Sequence, residues 1–213
     1  YGVGVRRKHV PKLIAEVEYA IKEFGVKTAY FIDLEFTVLR KQVVEFCEYL
    51  IEAKHDFKWC IQTRLDLVDE EILTLMKRAG CTLIHFGVEA GSDRILETTR
   101  KGVSLQQIKD GMAVCRKVGI RSATFFMFGF PESTEEDMKD IEKLAREIEP
   151  DYPLFHIAAP YPGTELYEQA KNDPAIKFSD DSLFPEAVEA NFNLQQLKDM
   201  TRKAYVSYYA RPG

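Results

Sequence analysis

Seven side chains able to hold or act on a ligand recur at one kind of place in this chain. Asp33, Glu35, Gln62, Arg64, His85, Glu89 and His156 all lie in or just beyond short apolar runs. The plainest case is FGVEAGS, residues 86–92. It closes the run Leu83-Ile84-His85-Phe86-Gly87-Val88 with a carboxylate, Glu89, and then with Ala90-Gly91, small enough for a ligand to approach the backbone. A buried charge is costly unless it is paired or bound to something. Carboxylates, a guanidinium and imidazoles gathered on one surface would bind a polar or charged small molecule, or ligate a metal.

Alternation along the runs indicates whether these groups gather, because successive side chains of a strand point to opposite faces. In the quoted run Ile84, Phe86 and Val88 share one face, and His85, Gly87 and Glu89 the other. In FKWCIQTR, Phe57, Trp59 and Ile61 oppose Lys58, Cys60, Gln62 and Arg64. Near the end, Phe155, Ile157 and Ala159 oppose Leu154, His156 and Ala158. In KTAYFID, Tyr30 and Ile32 oppose Phe31, Asp33 and, further on, Glu35. One face is apolar and suits helix packing; the other collects the seven polar residues. Ligands of parallel α/β folds sit at the carboxyl ends of the strands, where Asp33, Arg64 and Glu89 fall. The plainer reading is a structural ion pair of Arg64 with Glu89 or Asp33, and hydrogen-bonded core histidines at 85 and 156.

The elements that would position these groups follow from periodicity. Helices are predicted over 9–24, 40–54 and 69–79, from Ser104 to the stop at Gly119, and from Ser133 to the stop at Pro150. Capping-box spacings occur at Ser104–Gln107, Ser133–Glu136 and Asn193–Gln196. Strands are predicted over 27–33, 57–63, 83–88, 121–128 and 154–159. PYPGTELY leads into a short helix, residues 171–190 read as irregular, and a terminal helix carries Tyr205, Tyr208 and Tyr209. Strand–helix alternation implies parallel strands joined by right-handed crossovers. Five strands are too few for the eight-stranded barrel, which leaves a partial barrel or an open doubly wound sheet.

With 213 residues, 46% hydrophobic and 30% charged, the chain can bury a sizeable core. Its net charge of −5 argues against a broad nucleic-acid surface. No apolar run approaches the roughly 20 residues that span a bilayer, and no signal peptide opens the chain, so a cytoplasmic location is expected. Cys47, Cys60, Cys81 and Cys115 are far apart and without CxxC spacing, and read as buried or half-buried thiols of a reducing compartment. GxGxxG, Walker, GxSxG, HxH and HExxH patterns are absent; Gly2-Val3-Gly4 lacks a third glycine.

Six stretches in order, FIDLEFT (31–37), TRLDLVDEEIL (63–73), AGCTLIHFGVEAGSDRIL (79–96), RKGVSLQQI (100–108), GIRSATFFMFGFPEST (119–134) and APYPGTELY (159–167), resemble the radical S-adenosylmethionine enzymes. The nearest branch is the one that often carries a cobalamin-binding domain ahead of the radical core. The resemblance implies a partial parallel (β/α) barrel whose five strands are the second to sixth of six. It implies S-adenosylmethionine as cofactor, a four-iron four-sulfur cluster held by a CxxxCxxC loop after the first strand, and cleavage of the sulfonium to a 5′-deoxyadenosyl radical; cobalamin is left open. This chain has no CxxxCxxC. It begins beside a GVRR stretch, residues 4–7, that in the family follows the cysteine loop, so it reads as part of a longer enzyme and is expected to be inactive alone.

Carried over residue by residue, the resemblance implies cofactor contacts at Glu89 (end of the family's fourth strand), at Asp33, near the methionyl amine, and Glu35 in the same acidic stretch, and at Arg64. It further implies contacts at Gly129 and Pro131 in the Gly-x-Pro turn, and at Pro162 and Gly163 in the Pro-Gly-Thr turn. Leu34 departs from the acidic pair, and Glu132-Ser133-Thr134 replaces the usual Gly-Glu-Thr. No catalytic residue and no metal ligand is singled out. The barrel is expected over 1–170 and a C-terminal extension over 171–213, with a small-molecule substrate and a homodimer through the exposed first strand. Two other readings are a metal- or carboxylate-dependent lyase or hydrolase using Asp33, Glu35, Glu89 and His156, and a non-catalytic binding domain.

Overall fold

The computed structural model describes residues 8–178 and 185–210; Gly2-Val3-Gly4, the stretch 4–7 and part of the irregular segment lie outside the described residues. Among the described residues a five-stranded sheet has its strands in chain order, β1 (Thr28–Tyr30), β2 (Lys58–Thr63), β3 (Cys81–Glu89), β4 (Arg121–Phe128) and β5 (Tyr152–Ile157). They are parallel, as β1 on β2 and β2 on β3 show residue by residue. Helices α1 (Val10–Phe24), α2 (Arg40–Ala53), α3 (Glu70–Arg78), α4 (Asp93–Thr98), α5 (Leu105–Val118), α6 (Glu135–Ile148), α7 (Glu165–Asn172) and α8 (Leu194–Tyr209) lie before, between and after them. The partial parallel (β/α) barrel is the fold class found. The chain divides into two compact units, Tyr1–Gly87 with Asp110–Ala123, and Val88–Lys109 with Thr124–Gly213.

In the first unit α1 ends as the sequence suggests: Gly25 takes the left-handed φ of 63° and its N–H donates to Ile21 O, while Val26 N–H reaches Ala20 O. Phe31, Phe36, Phe46 and Trp59 pack ring against ring, and Trp59 Nε1 donates to Ala79 O at 2.8 Å. This corrects the faces expected for the first strand. Phe31 belongs to the helix-packed side, and Tyr30 shares a face with Gln62 and His85, to which its hydroxyl is hydrogen-bonded. The cause is length: β1 has three residues, and beyond the Phe31 N–H···O Cys60 bond the chain leaves the ladder, so alternation does not carry to Asp33 and Glu35. Ile32 and Leu34, 81% and 66% exposed, follow β1, whose one strand neighbour among the described residues is β2.

Glu18 of α1 ties that helix to α2, accepting from Lys22 at 2.8 Å, from the Tyr49 hydroxyl at 2.6 Å and from His55. These donors, Lys22 first, hold its carboxyl down at about 2. A carboxylate depressed in the folded state stabilises above its unfolded pKa, and that contribution is lost as pH falls toward the folded value. Glu18→Gln is therefore expected to melt lower than the parent at pH 7 and to lose less stability between pH 5 and pH 2. Parallel melting curves across that range would contradict it.

In the second unit the capping box of α6 is Thr134–Asp137, one residue later than the expected Ser133–Glu136. α8 covers β5 with its tyrosines: Phe155 N–H donates to Tyr205 Oη at 3.0 Å, and the Tyr208 and Tyr209 hydroxyls donate to Pro150 O and Pro153 O. Two backbone groups of this edge strand, Phe155 N–H and Pro153 O, are thereby satisfied. α4, which periodicity misses, is capped by Ser92, whose hydroxyl accepts from Ile95 N.

Candidate functional site

The first unit holds three of the expected contact residues. Arg64 follows β2 and makes a two-point pair with Asp66, Nε to Oδ1 at 2.9 Å and Nη2 to Oδ2 at 2.8 Å. The Asp66 bonds outweigh burial and raise the guanidinium's pKa, with Glu35 adding to the field. The structural-pair reading of Arg64 thus gains a partner that the sequence did not suggest. Asp33 and Glu35 are exposed on the loop after β1. That loop is anchored by Thr37, whose hydroxyl lies 2.6 Å from the Thr63 hydroxyl, both buried. Both residues line a cavity of about 850 Å³ whose walls are mostly apolar, among them Leu13, Val17, Ala29 and Val43.

Along the polar face, the Tyr30 hydroxyl lies 3.2 Å from His85 Nδ1 and 3.4 Å from Gln62 Oε1. Burial pushes the His85 pKa down, and burial with the nearby Cys60 pushes Tyr30 up, so this patch is uncharged near neutrality.

The second unit holds the rest. Glu89 ends β3 in the left-handed region, φ 68°. A non-glycine residue held there stores strain, a feature that clusters at ligand sites. Its Oε1 pairs with Lys101 Nζ at 2.9 Å, both side chains 20% exposed. Lys101 is carried between two further left-handed residues, Arg100 (φ 50°) and Gly102 (φ 66°). Sequence reasoning missed it; the only signal was the basic pair before Gly102 in RKGVS. The residues after Glu89 are fixed against α6: a Cβ on Gly91 would lie 2.2 Å from the carbonyl carbon of Asp140.

Asp137, 6% exposed at the start of α6, joins two loops. From the β3–α4 loop and α4 it accepts the Ser92 hydroxyl at 2.9 Å and the Arg94 guanidinium; from the β4–α6 loop it accepts the Thr134 amide at 2.8 Å and hydroxyl at 2.6 Å. Burial would raise its pKa, but these donors prevail and hold it below the usual range. Gly129 turns left-handed after β4, φ 86°, with Leu197 of α8 close behind it. Asn191 Nδ2 donates to Pro131 O at 3.1 Å and to Ser133 O at 3.0 Å. Pro162 and Gly163 (φ 83°) form the exposed turn before α7. His156 faces the Phe125 ring, centroids 5.6 Å apart, rather than a carboxylate cluster.

Among the described residues no three His, Cys, Asp or Glu side chains are grouped to hold a metal ion, so the lyase or hydrolase reading finds no ligand set here. The cysteines do not fit an iron–sulfur cluster either. Cys47, Cys81 and Cys115 are buried and Cys60 half-buried, all as free thiols. Burial pushes Cys47 up to about 12, with Cys60 and Cys81 also raised, against the thiolate state that ligation needs. No helix among the described residues is long and apolar enough to cross a membrane.

Residues 2–145 match the Radical SAM superfamily. An uncharacterized methyltransferase of Pyrococcus horikoshii is 32% identical over 218 residues, which cover all of this chain and 47% of that protein. The anaerobic magnesium-protoporphyrin IX monomethyl ester cyclase of Rubrivivax gelatinosus is 30% identical over 160 residues, 74% of this chain and 29% of the cyclase. The chain thus spans half or less of the length of these relatives. In fold it is similar to the radical S-adenosylmethionine methyltransferase TsrM of Kitasatospora setae, solved with cobalamin and a four-iron four-sulfur cluster bound. The TM-score is 0.71 at 18% identity, over 83% of this chain and 35% of TsrM. With a matching family over well more than half its length, on the parallel α/β fold described above, this chain belongs to the radical S-adenosylmethionine superfamily of enzymes.

Proposed function

We propose that this chain supplies the S-adenosylmethionine-binding part of an enzyme acting on a small molecule, with Glu89 and Lys101 recognising the methionyl end of the cofactor. The observation that carries the proposal is the strained Glu89 backbone holding a carboxylate against the Lys101 ammonium. The methionyl end carries one ammonium and one carboxylate. Inserted into the Glu89–Lys101 pair, it exchanges partners without net change of charge: Glu89 accepts from the ligand's ammonium, and Lys101 donates to its carboxylate. Such charge-assisted bonds are the strong ones. The left-handed turn at Gly129, with Pro131 two residues on, is proposed to pass the base of the cofactor on its motif position. Asp33, Glu35 and Arg64, and Pro162 and Gly163, are proposed as cofactor-binding residues on their motif positions alone.

When bound with a reduced iron–sulfur cluster, S-adenosylmethionine supplies an adenosyl radical; the cluster ligands are not assigned to this chain's cysteines, and the 213 residues alone are proposed to be inactive. Cobalamin is proposed as a further cofactor because TsrM was solved with it. The test is anaerobic incubation of the full-length, cluster-loaded protein with S-adenosylmethionine and dithionite. Release of 5′-deoxyadenosine or of S-adenosylhomocysteine supports the reading, and intact cofactor contradicts it.

The β1 edge, which has no second strand neighbour among the described residues, is proposed to pair with the same edge of a second copy, since such an edge beside exposed Ile32 and Leu34 invites association. Sedimentation of the 213-residue chain is expected to show a dimer that Ile32→Lys dissolves. A monomer at every concentration would remove this partner.

A further inference from the structure

We infer that Asp137 is a positioning residue for the cofactor, locking the loop that carries Glu89 to the loop that carries Gly129 and Pro131. This rests on the reading of Glu89 and Gly129 given above. In a plain capping box the acid at the third helical position serves only the cap residue of its own helix. Asp137 does that through the Thr134 amide and hydroxyl, and then takes two more donors from a loop over forty residues away in sequence, Ser92 and Arg94. Ser92 stands three residues beyond Glu89 and is itself the cap of α4, so the segment between β3 and α4 is held at both its hydroxyl and its neighbouring guanidinium.

The rest of that segment has no slack. Gly91 is seated against the backbone of Asp140 and Ile141, one turn along α6 from Asp137. Arg94 also donates to Glu132 O, at 3.2 Å, which ties the same guanidinium to the β4–α6 loop a second time. From its other side that loop is held by Asn191, through Pro131 O and Ser133 O. A carboxylate in a nearly dry position with four charged or polar donors is rigid, because releasing any donor leaves a buried acceptor short of partners. The left-handed Glu89 therefore has a fixed platform directly after it. A site residue held to a fraction of an ångström by its supporting bonds binds better than the same residue on a loose loop. Position, rather than contact, is the role: the Asp137 oxygens are all turned toward the two loops.

The experiment measures S-adenosylhomocysteine affinity by calorimetry in the full-length protein, alongside the melting temperature of each variant. Asp137→Asn keeps the shape of the side chain and removes its charge; Arg94→Met cuts the tie to the Glu89 loop. Both are expected to weaken binding about 2- to 30-fold, the range seen for residues that act through others. Thr134→Ala removes the cap of α6 but leaves the Ser92 and Arg94 ties, and is expected to lower the melting temperature with affinity within about two-fold of the parent. Equal losses of affinity in Thr134→Ala and Asp137→Asn would reduce Asp137 to a helix cap, and unchanged affinity in Asp137→Asn and Arg94→Met would overturn the inference outright. A parent protein that binds no S-adenosylhomocysteine would overturn the cofactor reading itself, and this inference with it.

Discussion

Gly91→Ala is expected to cost about 3 kcal/mol of stability, a drop in melting temperature of roughly 6–12 °C for a chain of this size. The added methyl carbon would lie 2.2 Å from Asp140 C and 2.3 Å from Ile141 N. These are backbone atoms inside α6, so no side chain can swing aside to relieve the overlap. Either the helix moves, breaking the packing of Met138 and Ile141, or the segment after Glu89 moves. Interiors packed to native density tolerate neither cheaply. Thermal melts of the parent and variant decide the matter, and a shift under about 2 °C would mean that α6 stands off further than described.

The second large effect separates strain from function at Glu89. Glu89→Ala and Glu89→Gly both lose the carboxylate and are expected to weaken S-adenosylhomocysteine binding roughly 10- to 100-fold, the usual worth of a charged hydrogen bond. They should differ in stability. Alanine must adopt the φ of 68°, which glycine adopts freely. Glu89→Gly is therefore expected to be more stable than Glu89→Ala by about 1 kcal/mol. If alanine proves the more stable of the two, the left-handed turn is not a strained feature, and the backbone argument for the site falls.

Much of the fold was legible because periodic burial is written locally. β4 falls over 121–128 as expected, and Asn193–Gln196 caps α8 as its spacing indicates. Gly25 ends α1 in the left-handed conformation for which glycine is suited. What was not legible depends on partners distant in sequence. Ser133–Glu136 and Thr134–Asp137 offer the same hydroxyl-then-acid pattern one residue apart. The choice falls to the second pair because Asp137 also meets Ser92 and Arg94. The face of Tyr30 was misassigned because alternation needs a strand, and the ladder stops a residue later. At the candidate site the carboxylate itself was legible, as a charge closing an apolar run. Its backbone conformation and its Lys101 partner were not, since neither the left-handed turn at Glu89 nor those at Arg100 and Gly102, on either side of Lys101, carry a period.

The central claim is that the Glu89–Lys101 pair reads the amino-acid end of S-adenosylmethionine. Its most direct test compares two neutral-sulfur analogues in the full-length protein: S-adenosylhomocysteine, which has that end, and 5′-methylthioadenosine, which lacks it. The parent is predicted to prefer S-adenosylhomocysteine by roughly tenfold or more, and Glu89→Gln and Lys101→Met are each predicted to erase most of that preference while leaving methylthioadenosine affinity unchanged. A preference that survives in both variants would show that the amino-acid end is held elsewhere.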